Sequence, residues 1–427
     1  MRILWLTNRE IPEISNHIGN KAVVNEGWLS FTFNQINSSP EHEMSIICCG
    51  SNTNDKGVFK NVQWFTIKES HFDESHYSGH LEERFCTILN DISPDVIHIW
   101  GSEFPHTLCM VNAAIRTKMI GKVVLSIQGI ISMCSLRHYF FAGIPYDVVN
   151  KPTIYDRIRN TGLLKQWLNF SIRSEFEIMA IKKIQNVIGR TEWDKRVIYS
   201  INPDLDYYCC NETLRKEFYF GEWSYSKCVP HTIFISQGGS ALKGLHNFLQ
   251  ILPDLKKKYP DIHVYVAGHD PTMRNRLIDR LKQTSYSKYI CRLIKRYSID
   301  SLITFTGSLS AEEMKTLYLQ SNVFLCCSSI ENSSNSVGEA MILGTPVVTS
   351  DVGGMRSIIS KDECLYFDTL NCVDMLNSIE SVFNMKEQIE NISKKARLHA
   401  IKDHDPQINY RTLVNVYKEI YERSKED

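Results

Sequence analysis

No stretch of the 427-residue chain approaches the roughly 20 continuous apolar residues that a membrane-spanning helix requires. The start, MRILWLTNRE, is apolar only from Ile3 to Leu6. That run is too short for a signal peptide and reads as a first buried strand. Excess charge of either sign is also absent, since 48 basic side chains balance 48 acidic ones. The balance removes any whole-chain reason to expect a nucleic-acid partner. The 13 cysteines form no Cys-x-x-Cys pair. Cys48-Cys49 and Cys326-Cys327 lie in apolar runs, so reduced, buried thiols of a cytoplasmic protein explain them. Low-complexity tracts and short fixed-period repeats are missing too. What remains is an ordinary globular composition with 43% hydrophobic residues, long enough for two domains of about 200 residues each.

The most informative stretch runs from Val323 to Gly354. Val323 to Cys327 is an apolar run and reads as a buried strand. Small polar residues from Ser328 to Ser336 suit a turn. A helical piece from about Ser336 to Leu343 is stopped by Gly344, and Pro346 to Ser350 makes a second strand before the turn at Gly353-Gly354. The first N–H groups of a helix lack intrahelical partners and carry the positive end of its dipole, which makes them an anion site. Glu331 and Glu339 bracket that site, with seven residues between them. A nucleoside diphosphate sugar has the matching layout of sugar, diphosphate and ribose. This places Glu331 on the sugar, the N–H groups of Asn335, Ser336 and Val337 on the diphosphate, and Glu339 on the ribose diol. The bland alternative makes Glu339 a first-turn helix acid and Glu331 a solvated loop acid.

This segment resembles the signature of the retaining nucleotide-sugar glycosyltransferases of family 4, as found in bacterial cell-surface polysaccharide synthesis. The matching residues are Glu331, Glu339-Ala340-Met341, Gly344, Pro346-Val347-Val348 and Ser350-Asp351-Val352-Gly353-Gly354. The loop Asn332-Ser333-Ser334-Asn335 departs from the Gly-Phe-Gly of many members. The resemblance implies the α/β GT-B fold: two doubly wound Rossmann-like domains facing a central cleft, with a C-terminal helix crossing back to the first. The expected domains are 1–225 on the acceptor side, with 406–427 packing back on it, and 226–405 for the nucleotide-sugar donor.

Further matches extend the resemblance. Lys243, at the start of a helix expected to run to Lys258, corresponds to a lysine on the donor diphosphate. The arginine that relatives carry about five residues earlier is missing, with Gln237, Gly238 and Gly239 in its place. Leu309, in the turn after a strand at Ile303 to Thr306, matches an apolar contact to the base. Gly27 stands where relatives place a Gly-Gly near the donor phosphates, at the helix opened by Gly27-Trp28-Leu29 after the polar loop Asn8 to Asn25. Gln128, at the end of the strand Lys122 to Ile127, replaces a histidine that in many relatives lies near the reacting sugar. Gly189-Arg190-Thr191-Glu192-Trp193-Asp194, Asn202-Pro203 and Tyr207 to Glu212 resemble one subgroup, and put Arg190 at a strand end as a phosphate or acceptor ligand. A structural ion pair is the alternative for Arg190.

Other candidates rest on the residues alone. His98, in the strand Asp95 to Gly101, is an acceptor-side candidate or a core histidine. His138 lies in the aromatic, irregular stretch Ile130 to Asn150, which would receive the acceptor, touch lipid, or simply pack. Tyr155 to Ile184 reads as one long helix whose basic face meets an anionic membrane or is merely solvated. Met273 to Arg296 reads as a basic surface helix, and Gly221 to Pro230 as the interdomain linker. Asp204 and Asp206 form a DxD, but they follow Asn202-Pro203 in a turn, and no metal is expected. The function implied is sugar transfer from a nucleotide diphosphate sugar, a UDP-sugar, to a glycan or lipid-linked acceptor. It would need no cofactor or metal, and would proceed in the cytoplasm with peripheral contact to the inner face of a membrane. A nucleotide-sugar 2-epimerase of the same fold and a non-catalytic sugar-nucleotide-binding subunit are the rival readings.

Overall fold

The computed structural model describes residues 1–20, 24–68, 75–273 and 281–425, with side chains described for all of these except 24–26. The chain forms two compact units. The first comprises 1–134, 169–215 and 403–427, and the second 135–168 and 216–402.

In the first unit, eight strands form one sheet: β1 (Arg2–Thr7), β2 (Glu43–Ser51), β3 (Lys56–Phe59), β4 (Val62–Lys68), β5 (Val96–Trp100), β6 (Val123–Ser126), β7 (Asn186–Gly189) and β8 (Asp206–Cys209). Their order is β3-β4-β2-β1-β5-β6-β7-β8. Every pairing is parallel except β3 with β4. Helices cover both faces of a parallel sheet, which is why β1 and β5 are near-continuous apolar runs rather than alternating ones. The last helix, Pro406–Arg423, belongs to this unit. It buries Leu413, Val416, Tyr417 and Ile420 among β1 and β5 side chains. Asp405 caps it by accepting from the N–H groups of Gln407 and Ile408.

The second unit carries β9 (Val229–Ile235), β10 (His263–Ala267), β11 (Ile303–Gly307), β12 (Ser321–Cys326), β13 (Val347–Ser350) and β14 (Leu365–Phe367). The order is β11-β10-β9-β12-β13-β14, parallel throughout. The chain winds one way from β9 to β10 and the other way after β12. A crevice therefore opens at the carboxyl ends of the neighbouring strands β9 and β12, as it does between β1 and β5 in the first sheet. Phe234, Tyr318 and Phe324 form an aromatic cluster, edge-on between Phe234 and Tyr318 and tilted elsewhere, with centroids 4.8–6.0 Å apart. Truncating Phe324 to alanine would cost about 3–5 kcal/mol.

Several elements differ from the sequence expectation. The expected helix 155–184 is two helices, Ile154–Arg159 and Leu163–Ile181. Thr153 and Asp156 form a capping box for the first, and Asn160 ends it in the left-handed conformation. The irregular stretch 130–150 contains three short helices, Ile131–Cys134, Arg137–Phe140 and Tyr146–Asn150. From residue 135 to 168 the chain packs with the second unit rather than the first. Long-range bonds hold it there: His246 Nε2 to the Ala142 carbonyl at 2.7 Å, and the Ser285 N–H to Asp156 at 2.7 Å. The segment 221–230 is no loose linker. Trp223 is buried, its indole donates to the Ser321 carbonyl and its backbone N–H to that of Leu343, and the segment lies within the 216–402 part of the second unit. The polar loop 8–25 includes a helix at Pro12–His17, and residues 21–23 of it lie outside the described residues. Of the expected helix 273–296 the structure shows Ser285–Tyr297, while 274–280 lie outside the described residues. Asp206 does not sit in a turn with Asp204 but opens β8, and its carboxylate meets Arg423 at 2.5 Å.

Candidate functional site

In the second unit, the turns after β9 and β12 are stitched together. The Ser329 N–H donates to the Leu242 carbonyl at 2.8 Å, and the Cys327 thiol approaches the Lys243 carbonyl at 3.2 Å. Lys243 closes a 3-10 turn, Ala241–Lys243, and the helix proper begins only at Leu245. Gly244 separates them at φ +70°, and a Cβ there would lie 1.8 Å from the Cys327 carbonyl oxygen. Only glycine permits this approach. The result is that Lys243 Nζ lies 2.5 Å from Glu331 Oε1, although 88 residues separate the two in sequence. Ser328 Oγ donates to the same oxygen at 2.7 Å. The pair is partly open to solvent, with side-chain exposures of 30% and 13%.

The Gly353-Gly354 turn supports Glu331 from behind. The Gly354 N–H donates to the Glu331 carbonyl at 3.0 Å, and a Cβ on Gly353, at φ +53°, would come within 2.0 Å of that oxygen. The two glycines at the end of the signature thus fix the backbone at its beginning.

The helix after this loop spans Asn335–Leu343, with Ser334 at its N-cap. Asn335, Ser336 and Val337 are its first residues, although the Val337 N–H, expected on the diphosphate, already donates to the Ser334 carbonyl at 3.0 Å. Glu339 is the fifth residue, too deep for a first-turn acid. It is 5% exposed, and Tyr318 Oη lies 3.3 Å from Glu339 Oε2 and 3.0 Å from the Ser336 carbonyl. One tyrosine therefore ties the Glu339 carboxylate to the first turn. Leu309 is half-buried in the turn after β11, where Ser310 and Glu313 cap the next helix.

In the first unit a second polar group gathers at the ends of β6, β7 and β8. Arg190 Nη1 meets Glu212 Oε2 at 2.7 Å, and Gln128 Nε2 donates to Glu212 Oε1 at 2.7 Å. Both members of the ion pair are buried, at 4% and 7% side-chain exposure. The His404 ring lies against the Glu212 carbonyl at 2.7 Å, and burial lowers its pKa. Gln128, Arg190 and Glu212 line, with Trp28 and Trp100, a small hollow of about 20 Å³. Gly27 lies in the 3-10 turn Val24–Leu29, and a Cβ there would meet only Arg215 at an ordinary 3.5 Å. The protein alone therefore gives no steric reason for glycine at that position. Glu177, in the helix Leu163–Ile181, is buried and accepts from Ser102 Oγ at 2.5 Å and from the Ser132 N–H at 2.8 Å. Burial pushes its carboxyl pKa up.

His98 is not on the acceptor side. It is fully buried, with Nδ1 2.5 Å from Tyr417 Oη and Nε2 2.7 Å from Ser126 Oγ, and it stacks on Trp100 at 3.8 Å. Burial holds its pKa well below the usual value, so it is a neutral core histidine. His138 is exposed and packs on Tyr139, within the second unit, whereas Gln128 belongs to the first. Sequence reasoning passed over Ser328, Tyr318 and Glu212 as site residues. Glu212 stood inside the quoted Tyr207–Glu212 motif and was the one that signal could have found. Among the described residues no group of three or more His, Cys, Asp or Glu side chains is placed to hold a metal. None of their helices is long and apolar enough to cross a membrane.

Residues 229–399 match the family described as Glycosyl transferases group 1. Spore coat protein SA of Bacillus subtilis is 28% identical over 182 residues, 42% of this chain and 46% of that protein. The uncharacterized glycosyltransferase YqgM of Bacillus subtilis is 22% identical over 213 residues, 50% of this chain and 52% of that protein. The chain thus spans about half the length of these curated relatives. Similar solved structures extend over the whole chain. Sucrose-phosphate synthase from Thermosynechococcus elongatus has a TM-score of 0.70 at 11% identity, covering 99% of this chain and 100% of that one. Anabaena HepE in complex with UDP-glucose has a TM-score of 0.65 at 13% identity, covering 98% and 100%. Residues 229–399 form a glycosyl transferases group 1 domain, and the chain as a whole has the GT-B fold of two parallel-sheet α/β domains.

Proposed function

We propose that this protein is a retaining glycosyltransferase of family 4 that moves a hexosyl-type sugar from a UDP-sugar to a glycan or glycolipid acceptor in surface polysaccharide biosynthesis. The observation that carries the reading is the Lys243–Glu331 contact at the ends of β9 and β12, beside the start of the helix Asn335–Leu343. It joins a cation for the diphosphate and a carboxylate for the sugar hydroxyls at a helix N-terminus suited to phosphate. Glu339, oriented by Tyr318, supplies the carboxylate for the ribose diol. UDP is favoured because the similar Anabaena HepE has been solved with UDP and with UDP-glucose.

In this mechanism the bond between the anomeric carbon and the phosphate oxygen breaks, and the diphosphate keeps the electron pair. Lys243 and the helix N-terminus stabilise the departing charge, so no metal is required. Glu331 shifts from sharing Lys243 to holding sugar hydroxyls as the donor arrives. The acceptor oxygen bonds to the anomeric carbon on the same face, and its proton passes to a departing phosphate oxygen. Arg190 acts through Glu212 on Gln128 at the acceptor side, rather than as the missing diphosphate arginine. The reaction runs in the cytoplasm.

The test is a thermal-shift series with nucleotides and nucleotide sugars, without metal and with Mg²⁺ or Mn²⁺. A donor at 100 times its dissociation constant stabilises by about 2.7 kcal/mol. A UDP-specific, metal-independent shift that disappears in Lys243→Ala is expected. A shift that appears only with metal would overturn the donor site, and acceptor-independent conversion of the nucleotide sugar would replace transfer by epimerisation.

A further inference from the structure

The segment 135–168 is held firmly on the second unit, yet it turns large apolar side chains outward. Asp156, 2% exposed, accepts from the N–H groups of Thr153 at 3.0 Å and Ser285 at 2.7 Å, and from Thr161 Oγ1 at 3.0 Å. Thr153 Oγ1 adds a bond to the Gln283 carbonyl at 2.9 Å. The fastening is thus rigid and polar. On its outer side Tyr146 is 82% exposed, Ile154 78% and Ile158 72%. Ile154 and Ile158 stand one helical turn apart on one face. Leu164 and Leu168, again four residues apart, are exposed as well. With Val149 and Pro152 these two leucines line a groove of about 220 Å³.

Cations dominate the charge around these side chains. Lys151, Arg157, Arg159 and Lys165 are exposed, and the single acid between 148 and 168 is the buried Asp156. The neighbouring helix Ser285–Tyr297 contains no acid and exposes Lys288, Arg292, Lys295 and Arg296. It packs beside Tyr146–Asn150, where Arg292 approaches Asp147 at 3.5 Å. In a chain of zero net charge these two segments gather eight exposed cations against one half-exposed acid, Asp147.

We propose that this face of the second unit docks on an anionic lipid bilayer. Tyr146, Ile154, Ile158, Leu164 and Leu168 enter the interfacial zone, and the cations lie against headgroup phosphates. Exposed apolar patches rimmed by charge mark interaction surfaces, and cations beside exposed aliphatic side chains suit a bilayer interface. Nucleic acid would attract the same cations. It would gain nothing from Ile154 and Ile158, because bases stack on aromatic rings.

The experiment is co-sedimentation of the full chain with phosphatidylglycerol–phosphatidylcholine vesicles and with phosphatidylcholine vesicles alone. The readout needs no donor sugar, so it stands or falls apart from the transferase reading. Binding to the anionic vesicles alone, weakened by salt, is expected. Arg157→Gln with Arg159→Gln should lower partitioning roughly 30-fold. Ile154→Ser with Ile158→Ser should lower it roughly tenfold or more, with an unchanged thermal midpoint. Should that midpoint fall, Tyr146→Ser replaces the pair and must weaken binding in the same direction. The proposal is overturned if sedimentation ignores lipid charge, if the serine variants bind vesicles like the parent, or if an RNA oligonucleotide binds while anionic vesicles do not.

Discussion

Each unit of the protein places a carboxylate–cation pair at the ends of its strands, and the two pairs are built differently. Lys243–Glu331 is partly open, at 30% and 13% side-chain exposure, and shares its carboxylate oxygen with Ser328. Arg190–Glu212 is closed, at 4% and 7%, and its second carboxylate oxygen holds Gln128. An open pair can exchange partners with an incoming phosphate. A closed pair has been desolvated in folding, and its value lies in what it holds in place.

Breaking the closed pair should have the largest effect. Arg190→Ala leaves Glu212 buried without its cation and should destabilise the first unit by about 3–5 kcal/mol, read from denaturant unfolding. Arg190→Met combined with Glu212→Leu should recover most of that loss, because no buried charge remains. Breaking the open pair should act on turnover instead. Lys243→Ala is expected to lower kcat roughly 10²–10³-fold while changing unfolding free energy by less than about 1 kcal/mol. If the two variants exchanged their effects, the contrast between the pairs would be wrong.

A third expectation concerns how the 135–168 segment is held. His246 bonds the Ala142 carbonyl, and burial depresses its pKa from 6.5 to about 4. The folded state therefore stays neutral while the unfolded state takes up a proton below pH 6.5. The contribution is fully present above that value and is lost as pH falls toward 4. Between pH 7 and 5 the loss is about 2 kcal/mol for this one group. Replacing His246 by Gln should flatten that part of the pH–stability curve of the second unit. The smallest effect belongs to Ser328. Removing its hydroxyl in Ser328→Ala takes one hydrogen bond from Glu331, worth about 1 kcal/mol, and donor affinity measured by calorimetry should fall roughly fivefold.

The two pairs also differ in how far they could be read in advance. Glu331, Asn335, Ser336 and Glu339 belong to one contiguous strand–loop–helix unit, whose local order alone sets their spacing. Lys243 joined them only through resemblance. The bonds that carry it there, Ser329 to Leu242 and Gly244 against Cys327, span more than 80 residues. Arg190 and Gln128 were legible as strand-end residues. Glu212, which binds both, stood in the Tyr207–Glu212 motif past the short strand β8, but no local spacing pairs it with Arg190 or Gln128. His98 stood open between an acceptor-side role and a core one. A polar residue on an apolar strand looks functional until Tyr417, over 300 residues away, is seen to accept or donate at its ring.

By itself the sequence determined the α/β class, most of the central strands of both sheets, and the Glu331–Gly354 segment, because these depend on hydrophobic runs, helix stops and turns between near neighbours. The tertiary structure alone decided that 135–168 joins the second unit, that Arg190 pairs with Glu212, and that Lys243 reaches Glu331. Those outcomes depend on which strand ends a doubly wound topology makes adjacent, and on burial that selects one partner for each buried polar group. No local spacing encodes either.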